Sequence, residues 1–281
     1  MNNVSIRLAV AGRVDAQHLH SLEEMTLGDS DLTPSEMQAV LARPEQHVYL
    51  ALSADTPVGF CATFDTASPH GPRLEVDMLG VAEPWRGHHI GARLVQTALA
   101  AAVERRIHQA RAVVAVDNKA SMSLFQACGF RATEEPCSLF TYIVQDRSTV
   151  DYLPDGWTLG TPAASKAGEP LDREITRYAG LHGHTLYGLK DAQNELVGAM
   201  ALLSVQTVAY SGLWIETLCA ESRRVVGLLA RAAVKEGKAR GISEIGILVP
   251  ERNAGKYGHA YLAEGYRCMG TYLVWERGNN V

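Results

Sequence analysis

Two acidic residues on one predicted strand are the side chains best suited to chemistry. Glu75 and Asp77 alternate with apolar residues, which is typical of a strand, and Pro84 lies just beyond it. A carboxylate pair can accept a proton from an amine, and mutual repulsion or partial burial would raise the pKa of at least one member. The alternative interpretation is that both carboxylates face solvent or pair with Arg73 or Arg111.

The turn after this strand has the features of an anion-binding site. It contains Arg86, Gly87 and Gly91 and leads into a predicted helix. The N–H groups at the start of a helix point outward, and the helix dipole favours negative charge there. The sequence has no Gly-x-x-x-x-Gly-Lys-Ser/Thr and no Gly-x-Gly-x-x-Gly phosphate loop. The turn therefore predicts a diphosphate site of another kind.

The pattern Arg86-x-x-His89-x-Gly91 resembles the coenzyme A pyrophosphate loop of the GNAT superfamily of CoA-dependent N-acyltransferases, usually Gln/Arg-x-x-Gly-x-Gly/Ala. His89 stands where that family has a glycine. A second segment is similar to the family's next motif, in which a strand ends at Asn and a helix ends in Tyr-x-x-x-Gly-Phe. Asn118 matches the Asn, whereas Phe125 replaces the Tyr and has no proton to donate.

The resemblance implies that the first half of the chain binds acetyl-CoA as co-substrate and transfers its acetyl group directly to an amine in a ternary complex, with no metal. It assigns the following residues to the CoA site: Leu79, Val81, Arg86, Gly87, His88, His89, Ile90, Gly91, Ala92, Asn118 and Phe125. Glu75 and Asp77 are the catalytic candidates, because the family often uses an acidic residue on this strand. Ser121 is a candidate proton donor to the thiolate, with Tyr142 or water as alternatives.

The strand itself should present its catalytic residues together. By the two-residue period, Glu75, Asp77, Leu79 and Val81 are expected on one face. Backbone N–H groups near Val81 would polarise the thioester carbonyl, and Gly80 would ease a bulge.

The second half of the chain reads as a diverged copy of the first. Three features recur in order at offsets of 135 to 138 residues: Ala82-Glu83-x-x-Arg86 as Ala220-Glu221-x-x-Arg224, Asn118 as Asn253, and Gly129-Phe130 as Gly265-Tyr266. The copy has Leu229 in place of Gly91, and Leu213 and Ile215 in place of the acidic pair. Tyr261 occupies the family's acid position. A structural or substrate-shaping second domain is favoured over a second catalytic site.

These patterns predict a mixed α/β (α+β) fold of two tandem GNAT-like domains, each with a mostly antiparallel sheet flanked by helices. The predicted domains are 1–147, catalytic and acyl-CoA-binding, and 153–281, degenerate, with a linker at about 145–156 that contains Pro154 and Gly156. The uncharged run 196–215 approaches the length of a membrane span, but its polar residues favour two strands joined by a turn.

Composition narrows the possible partners and the compartment. The net charge of −5 gives no reason to expect a nucleic acid or an anionic membrane surface as partner. The five cysteines include no Cys-x-x-Cys pair, and no signal-peptide core precedes the first strand, so a cytoplasmic protein with reduced thiols is expected. The pair His182 and His184 lacks a third ligand at a telling spacing and is interpreted as part of a loop.

The sequence therefore predicts an N-acetyltransferase that modifies a primary amine of a small molecule, as a monomer or homodimer. Two alternatives stay open. One is a CoA-binding sensor without turnover, suggested by His89 and Phe125. The other is an acetyltransferase that modifies a protein lysine or N-terminus, with the second domain docking the protein.

Overall fold

Two compact units make up the protein. The computed structural model describes residues 4–28, 30, 32–144, 153–162, 175–208 and 211–278. The first unit comprises Met1–Glu134, Gln206–Tyr210 and Leu273–Val281, and the second comprises Glu135–Val205 and Ser211–Tyr272. Neither unit is therefore one continuous stretch of sequence. Of the predicted linker, residues 145–152 lie outside the described residues.

The first unit contains the elements of the first sequence repeat, except that its last strand, Cys137–Ile143, belongs to the second unit. Its elements are β1 (Val4–Leu8), α1 (Arg13–Leu27), α2 (Pro34–Leu41), β2 (Gln46–Ser53), β3 (Thr56–Ser68), β4 (Gly71–Val81), a 3-10 turn (Glu83–Trp85), α3 (Ile90–Glu104), β5 (Gln109–Ala115), α4 (Lys119–Ala127) and β6 (Arg131–Ala132). Strands β1 to β4 pair antiparallel in sequence order, and β5 pairs parallel to β4. This confirms the mixed, mostly antiparallel sheet.

Two apolar cores lie on the two faces of this sheet. On one face, Leu74 and Val76 of β4 pack with buried residues of α3 and α4 such as Leu94 and Phe125. The other core contains Leu19 and Leu22 of α1, Met37 and Val40 of α2, and Phe60 of β3. Apolar residues of α1 recur at three- and four-residue spacing, which is why one side of the helix is buried against the sheet.

A β-bulge in β4 interrupts the two-residue period of the strand. Val76 pairs with Thr63 and Met78 pairs with Ala62, so Asp77 is an extra residue without a cross-strand partner. Val76, before the bulge, packs toward α3 and α4. Beyond the bulge, Leu79 and Val81 pack toward α3 and α4, whereas Met78 packs toward α1 and α2. The prediction of one shared face for the four residues is therefore wrong, because the bulge reverses the alternation. The bulge lies at Asp77 instead of Gly80.

The parallel pairing between β4 and β5 ends early. The register runs from Arg73 opposite Gln109 to Val76 opposite Ala112, whereas β4 continues to Val81 and β5 to Ala115. The two strands therefore lose their pairing at the bulge. The unpaired strand ends lie immediately before the turn that leads into α3.

The second unit repeats this plan. Its elements are β7 (Cys137–Ile143), β8 (Thr158–Gly160), β9 (His184–Lys190), β10 (Leu196–Gln206, with Gln206 in the first unit), β11 (Ser211–Ala220), α5 (Arg223–Ala239), β12 (Glu244–Pro250), α6 (Glu251–Ala263) and β13 (Arg267–Arg277, with its last residues in the first unit). Strands β11 and β12, which precede and follow α5 in the chain, pair parallel to each other. Strands β4 and β5 have the same relation to α3. The predicted tandem repeat is confirmed.

The uncharged run 196–215 forms β10 and the start of β11, as predicted. Among the described residues, no helix combines the length and apolar character needed to cross a membrane.

The absence of a side chain at Gly80 lets α1 lie close to β4. A substitution at Gly80 tests this helix–strand packing. A Cβ at Gly80 would meet Thr26 of α1 and would lie 2.5 Å from Cε1 of Phe60. Because overpacking a tight contact is destabilising, we expect Gly80→Ala to lower the free energy of unfolding by about 1–3 kcal/mol in urea titrations. Gly255→Ala on α6, where a Cβ would meet nothing within 4 Å, is the matched control and should not destabilise. Equal stability of both variants would contradict the packing argument.

Candidate active site

Glu75 is held between two arginines. Its Oε1 accepts a hydrogen bond from Nε of Arg73 at 2.5 Å, and its Oε2 accepts one from Nε of Arg111 at 2.9 Å. All three side chains are largely buried. Both oxygens of this carboxylate are therefore engaged in ion pairs, which is the structural alternative that the sequence left open. Removing one member would leave a buried, uncompensated charge.

Asp77 has a different environment, two residues further along β4. Its Oδ2 is buried and has no hydrogen-bond partner, although the residue as a whole is half-buried. Burial, together with the nearby charges of Glu75 and Glu23, raises the pKa of Asp77 to about 6, and a hydrogen bond from Thr207 opposes this rise. Such a carboxylate is ionised at neutral pH and can still accept a proton readily.

Sequence reasoning missed two residues of this environment. Glu23 is a buried acidic residue of α1, and Ser30 donates a hydrogen bond to its Oε2 at 2.6 Å. Thr207 follows β10, far from Asp77 along the chain. The sequence signal for Thr207 was that it is a polar residue within an uncharged run. The signal for Glu23 was its position on the buried side of an amphipathic helix.

The turn between β4 and α3 is exposed and contains two left-handed residues. Gly87 has φ +79°, a conformation that favours glycine, and His89 has φ 58° and ψ 16°. The left-handed conformation of His89 explains why the resembled family has glycine at this position. Nε of Arg86 donates to the carbonyl of Val81 at 3.0 Å, and Nδ1 of His88 lies 3.0 Å from the carbonyl oxygen of Arg86.

The start of α3 is open to an anion. His89 is the N-cap residue and makes no side-chain cap hydrogen bond, so the first-turn N–H groups of Ile90, Gly91 and Ala92 have no acceptor within the helix. The exposed guanidinium of Arg86 lies in the same turn. These groups fit the diphosphate of CoA, because they combine outward N–H donors with a fixed positive charge.

Gly91 is required by packing as well. A Cβ at Gly91 would lie 2.7 Å from Cδ1 of Leu124 on α4. The glycine therefore lets α3 and α4 approach each other beside the loop. The same core brings together Leu79, Val81, Ile90, Ala92 and Phe125 from the predicted CoA site.

Helix α4 begins at Asn118, as the second motif predicts. Oδ1 of Asn118 accepts a hydrogen bond from the N–H of Ser121 at 3.1 Å and so caps the helix. Ser121 is half-buried in the first turn. Phe125, at the family's Tyr position, is 4% exposed and packs edge-on against Phe130 with ring centroids 5.1 Å apart. It serves as a core residue.

The corresponding helix start in the second unit is capped by a side chain. Oγ of Ser222 accepts a hydrogen bond from the N–H of Val225 at 3.3 Å and caps α5. Leu213 and Ile215, which replace the acidic pair, are buried, and so is Leu229. Tyr261 is also buried, beside Phe140 and Tyr266, and burial raises the pKa of its hydroxyl far above the usual range.

Comparison with known proteins gives a family match for the first half of the chain. Residues 16–130 match the model of the Acetyltransferase (GNAT) family. Over 127 residues, the chain is 28% identical to the N-alpha-acetyltransferase RimI of Mycobacterium tuberculosis (strain ATCC 25618 / H37Rv), covering 45% of this chain and 78% of that protein.

Two solved structures share the fold over nearly the whole chain. A GCN5-related N-acetyltransferase from Sphaerobacter thermophilus has a TM-score of 0.62 at 14% identity, covering 98% of this chain and 95% of that chain. A tandem GNAT protein from the clavulanic acid biosynthesis pathway has a TM-score of 0.57 at 16% identity, covering 98% of each chain. Residues 16–130 therefore match a GNAT acetyltransferase domain, and the chain has the fold of these two solved structures. Acetyltransferases of this family use acetyl-CoA as co-substrate.

The left-handed conformation of His89 makes a prediction about stability. The left-handed conformation costs a non-glycine residue about 1–2 kcal/mol, and the cost is largest for β-branched residues. We expect His89→Val to lower the free energy of unfolding by about 1–2 kcal/mol and His89→Gly to raise it by about 0.5 kcal/mol, measured by urea titration. The exposed neighbour His88 is the control, and His88→Val should leave stability unchanged. Equal effects at both positions would show that the backbone of His89 is not strained.

The buried charge of Asp77 should cost stability at neutral pH. Because its folded pKa lies near 6, above its usual value, the folded state holds this proton more tightly than the unfolded state does. The cost is therefore absent at low pH and grows as the pH rises through about 4 to 6. We expect Asp77→Asn to be more stable than the parent protein by about 2 kcal/mol at pH 8, and the difference to shrink toward pH 4. Urea titrations across this pH range would check it; a pH-independent difference would contradict the assignment.

Proposed function

We propose that this protein transfers an acetyl group from acetyl-CoA to a primary amine of a small molecule, with both substrates bound together in the first unit. The observation that carries this proposal is the environment of Asp77, a carboxylate with a buried, unpartnered oxygen at the bulge of β4. The bulge lies a few residues before the open turn at the start of α3. The proposed base and the proposed diphosphate site would thus lie on one strand–turn–helix segment.

Asp77 acts as the general base in this proposal. An amine attacks a thioester only after it loses its proton, and Asp77 is ionised at neutral pH with an oxygen that has no other partner. Glu75 is excluded from this role by its two arginine partners, which occupy both of its oxygens. Its role is to fix β4 against β5 and to place a negative charge near Asp77.

Acetyl-CoA supplies the acetyl thioester. Arg86 and the N–H groups of residues 87–92 would hold its diphosphate, and Asn118 would bind the pantetheine arm through its side-chain amide. The loss of pairing between β4 and β5 beyond Val76 leaves backbone groups of β4 available to the thioester carbonyl. Leu79 and Val81, on the α3 face of β4, would line the arm.

Protonation of the departing thiolate does not depend on a tyrosine. Phe125 is buried in the core, and Ser121 lies one turn earlier, half-buried at the start of α4. We assign the donor role to Ser121 or to water. Either is adequate because a CoA thiol is acidic enough to leave as the thiolate at neutral pH.

The acceptor is a small molecule in this proposal because the base is enclosed. Asp77 lies beside two further carboxylates, Glu75 and Glu23, that are both buried. An amine must therefore enter the face of β4 toward α1 to reach Oδ2, and the negative charges there favour a cationic acceptor. The similarity to the N-alpha-acetyltransferase RimI supports a second candidate, acetylation of a protein N-terminus.

Thiol release from acetyl-CoA would test the function. We expect release with amines from a panel of small primary amines, and Asp77→Asn should lower kcat/KM by about 100-fold to 1,000-fold because it removes the general base. The rate should also fall as the pH drops through about 6, where Asp77 becomes protonated. Asp55→Asn is the matched control, since Asp55 lies exposed in a left-handed turn that Asn also adopts, and it should be fully active.

The other outcomes separate the alternatives. Release only with peptides bearing a free N-terminus or a lysine would favour the protein acetyltransferase. CoA binding in calorimetry without release from any amine or peptide would favour the sensor and overturn the proposal.

A further inference from the structure

Residues 206–208 lie in the second sequence repeat but belong structurally to the first unit. The backbone carbonyl of Gln206 accepts a hydrogen bond from Nε2 of Gln46 at 2.7 Å, and its side-chain Oε1 accepts one from Arg43 at 2.5 Å. Val208 is fully buried in the core formed by α1, α2 and β3. The segment is thus fixed on both sides of Thr207.

Thr207 is itself 1% exposed, and its hydroxyl hydrogen-bonds the carboxylate of Asp77. A hydroxyl that donates to a carboxylate stabilises the ionised form and restricts the side chain's rotamers. The bond leaves Oδ2 of Asp77 without a partner. One oxygen is therefore available to a substrate while the carboxylate is held in place.

We propose that Thr207 is a positioning residue for the general base: its hydroxyl orients Asp77 and keeps it ionised, so that the second half of the chain supplies part of the acetyl-transfer site. The inference rests on the proposed function of Asp77.

Thr207 and the other groups around Asp77 have opposite effects on the ionisation of Asp77. Glu75 on β4 and Glu23 on α1 both carry charges that disfavour ionisation of Asp77. The thiol of Cys61 on β3 also lies near Asp77, and burial raises its pKa far above the usual range, so it stays protonated. Arg73 and Arg111 offset the charge of Glu75 through their ion pairs. Among these neighbours, Thr207 supplies the favourable hydrogen bond to Asp77.

A titration of the Asp77 carboxyl carbon would test this directly. In protein labelled with ¹³C-aspartate, the resonance that disappears in Asp77→Asn reports this residue. We expect its midpoint to rise by about 0.5–1 pH unit in Thr207→Val, because the hydrogen bond to the ionised form is lost. Thr207→Ser retains a hydroxyl and should restore the original midpoint. Thr97→Val, which removes a hydroxyl that donates to the carbonyl of Arg93 within α3, should leave it unchanged.

The rate of thiol release gives a second readout, with acetyl-CoA and the most reactive amine of the panel. Thr207→Val should lower kcat about 1.5-fold to 3-fold at pH 6.5, because a smaller fraction of Asp77 is ionised, and should approach the parent rate at pH 9, with an unchanged KM for acetyl-CoA. An unaltered Asp77 midpoint in Thr207→Val would overturn the inference. So would equal loss of activity in Thr207→Val and Thr207→Ser at every pH, since that indicates a purely structural role.

The experiments distinguish failure of this inference from failure of the proposed function. If Asp77→Asn keeps the parent rate, Asp77 is not the base, whatever the titration shows. If Asp77→Asn is inactive and Thr207→Val leaves the midpoint in place, only the role of Thr207 is wrong. Should Thr207→Val fail to fold, Thr207→Ala removes the same hydroxyl without placing a second methyl group in its position and is subject to the same criteria.

Discussion

The bulge at Asp77 is the constraint on which the site depends. One extra residue in β4 reverses the direction of every side chain beyond it, so Glu75 and Asp77 lie toward α1 while Leu79 and Val81 lie toward α3. The pairing of β4 with β5 ends at the same point. A single backbone irregularity thus changes the side-chain alternation and leaves backbone groups of β4 beyond Val76 without a partner in β5.

Around this bulge, two neighbouring carboxylates have opposite environments. Glu75 is neutralised by Arg73 and Arg111, whereas Asp77 is buried with one oxygen unpartnered and has a raised pKa. The difference follows from position on the strand, because Arg111 lies directly opposite Glu75 in β5 and the pairing stops before it reaches Asp77. Both oxygens of Glu75 are therefore held in ion pairs, whereas Oδ2 of Asp77 has no hydrogen-bond partner.

The corresponding helix starts differ between the two repeats. The start of α3 has no side-chain cap and a left-handed His89, so its N–H groups stay available. In α5, Ser222 caps the helix and Leu229 is buried. The architecture is the same because the cores of both units need it, while the residues that cap these two helices differ.

The sequence alone determined the fold class, the tandem repeat and the positions of the anion-binding turn and of Asn118, because these follow from local patterns of apolar residues, glycines and caps. Strand alternation also identified Glu75 and Asp77 as a pair. It wrongly placed Leu79 and Val81 on the same face as this pair, because a bulge depends on cross-strand pairing that no local pattern specifies. Only the tertiary structure distinguished the two carboxylates and brought Glu23 and Thr207 to Asp77, since burial and long-range hydrogen bonds arise from contacts between residues far apart in the chain.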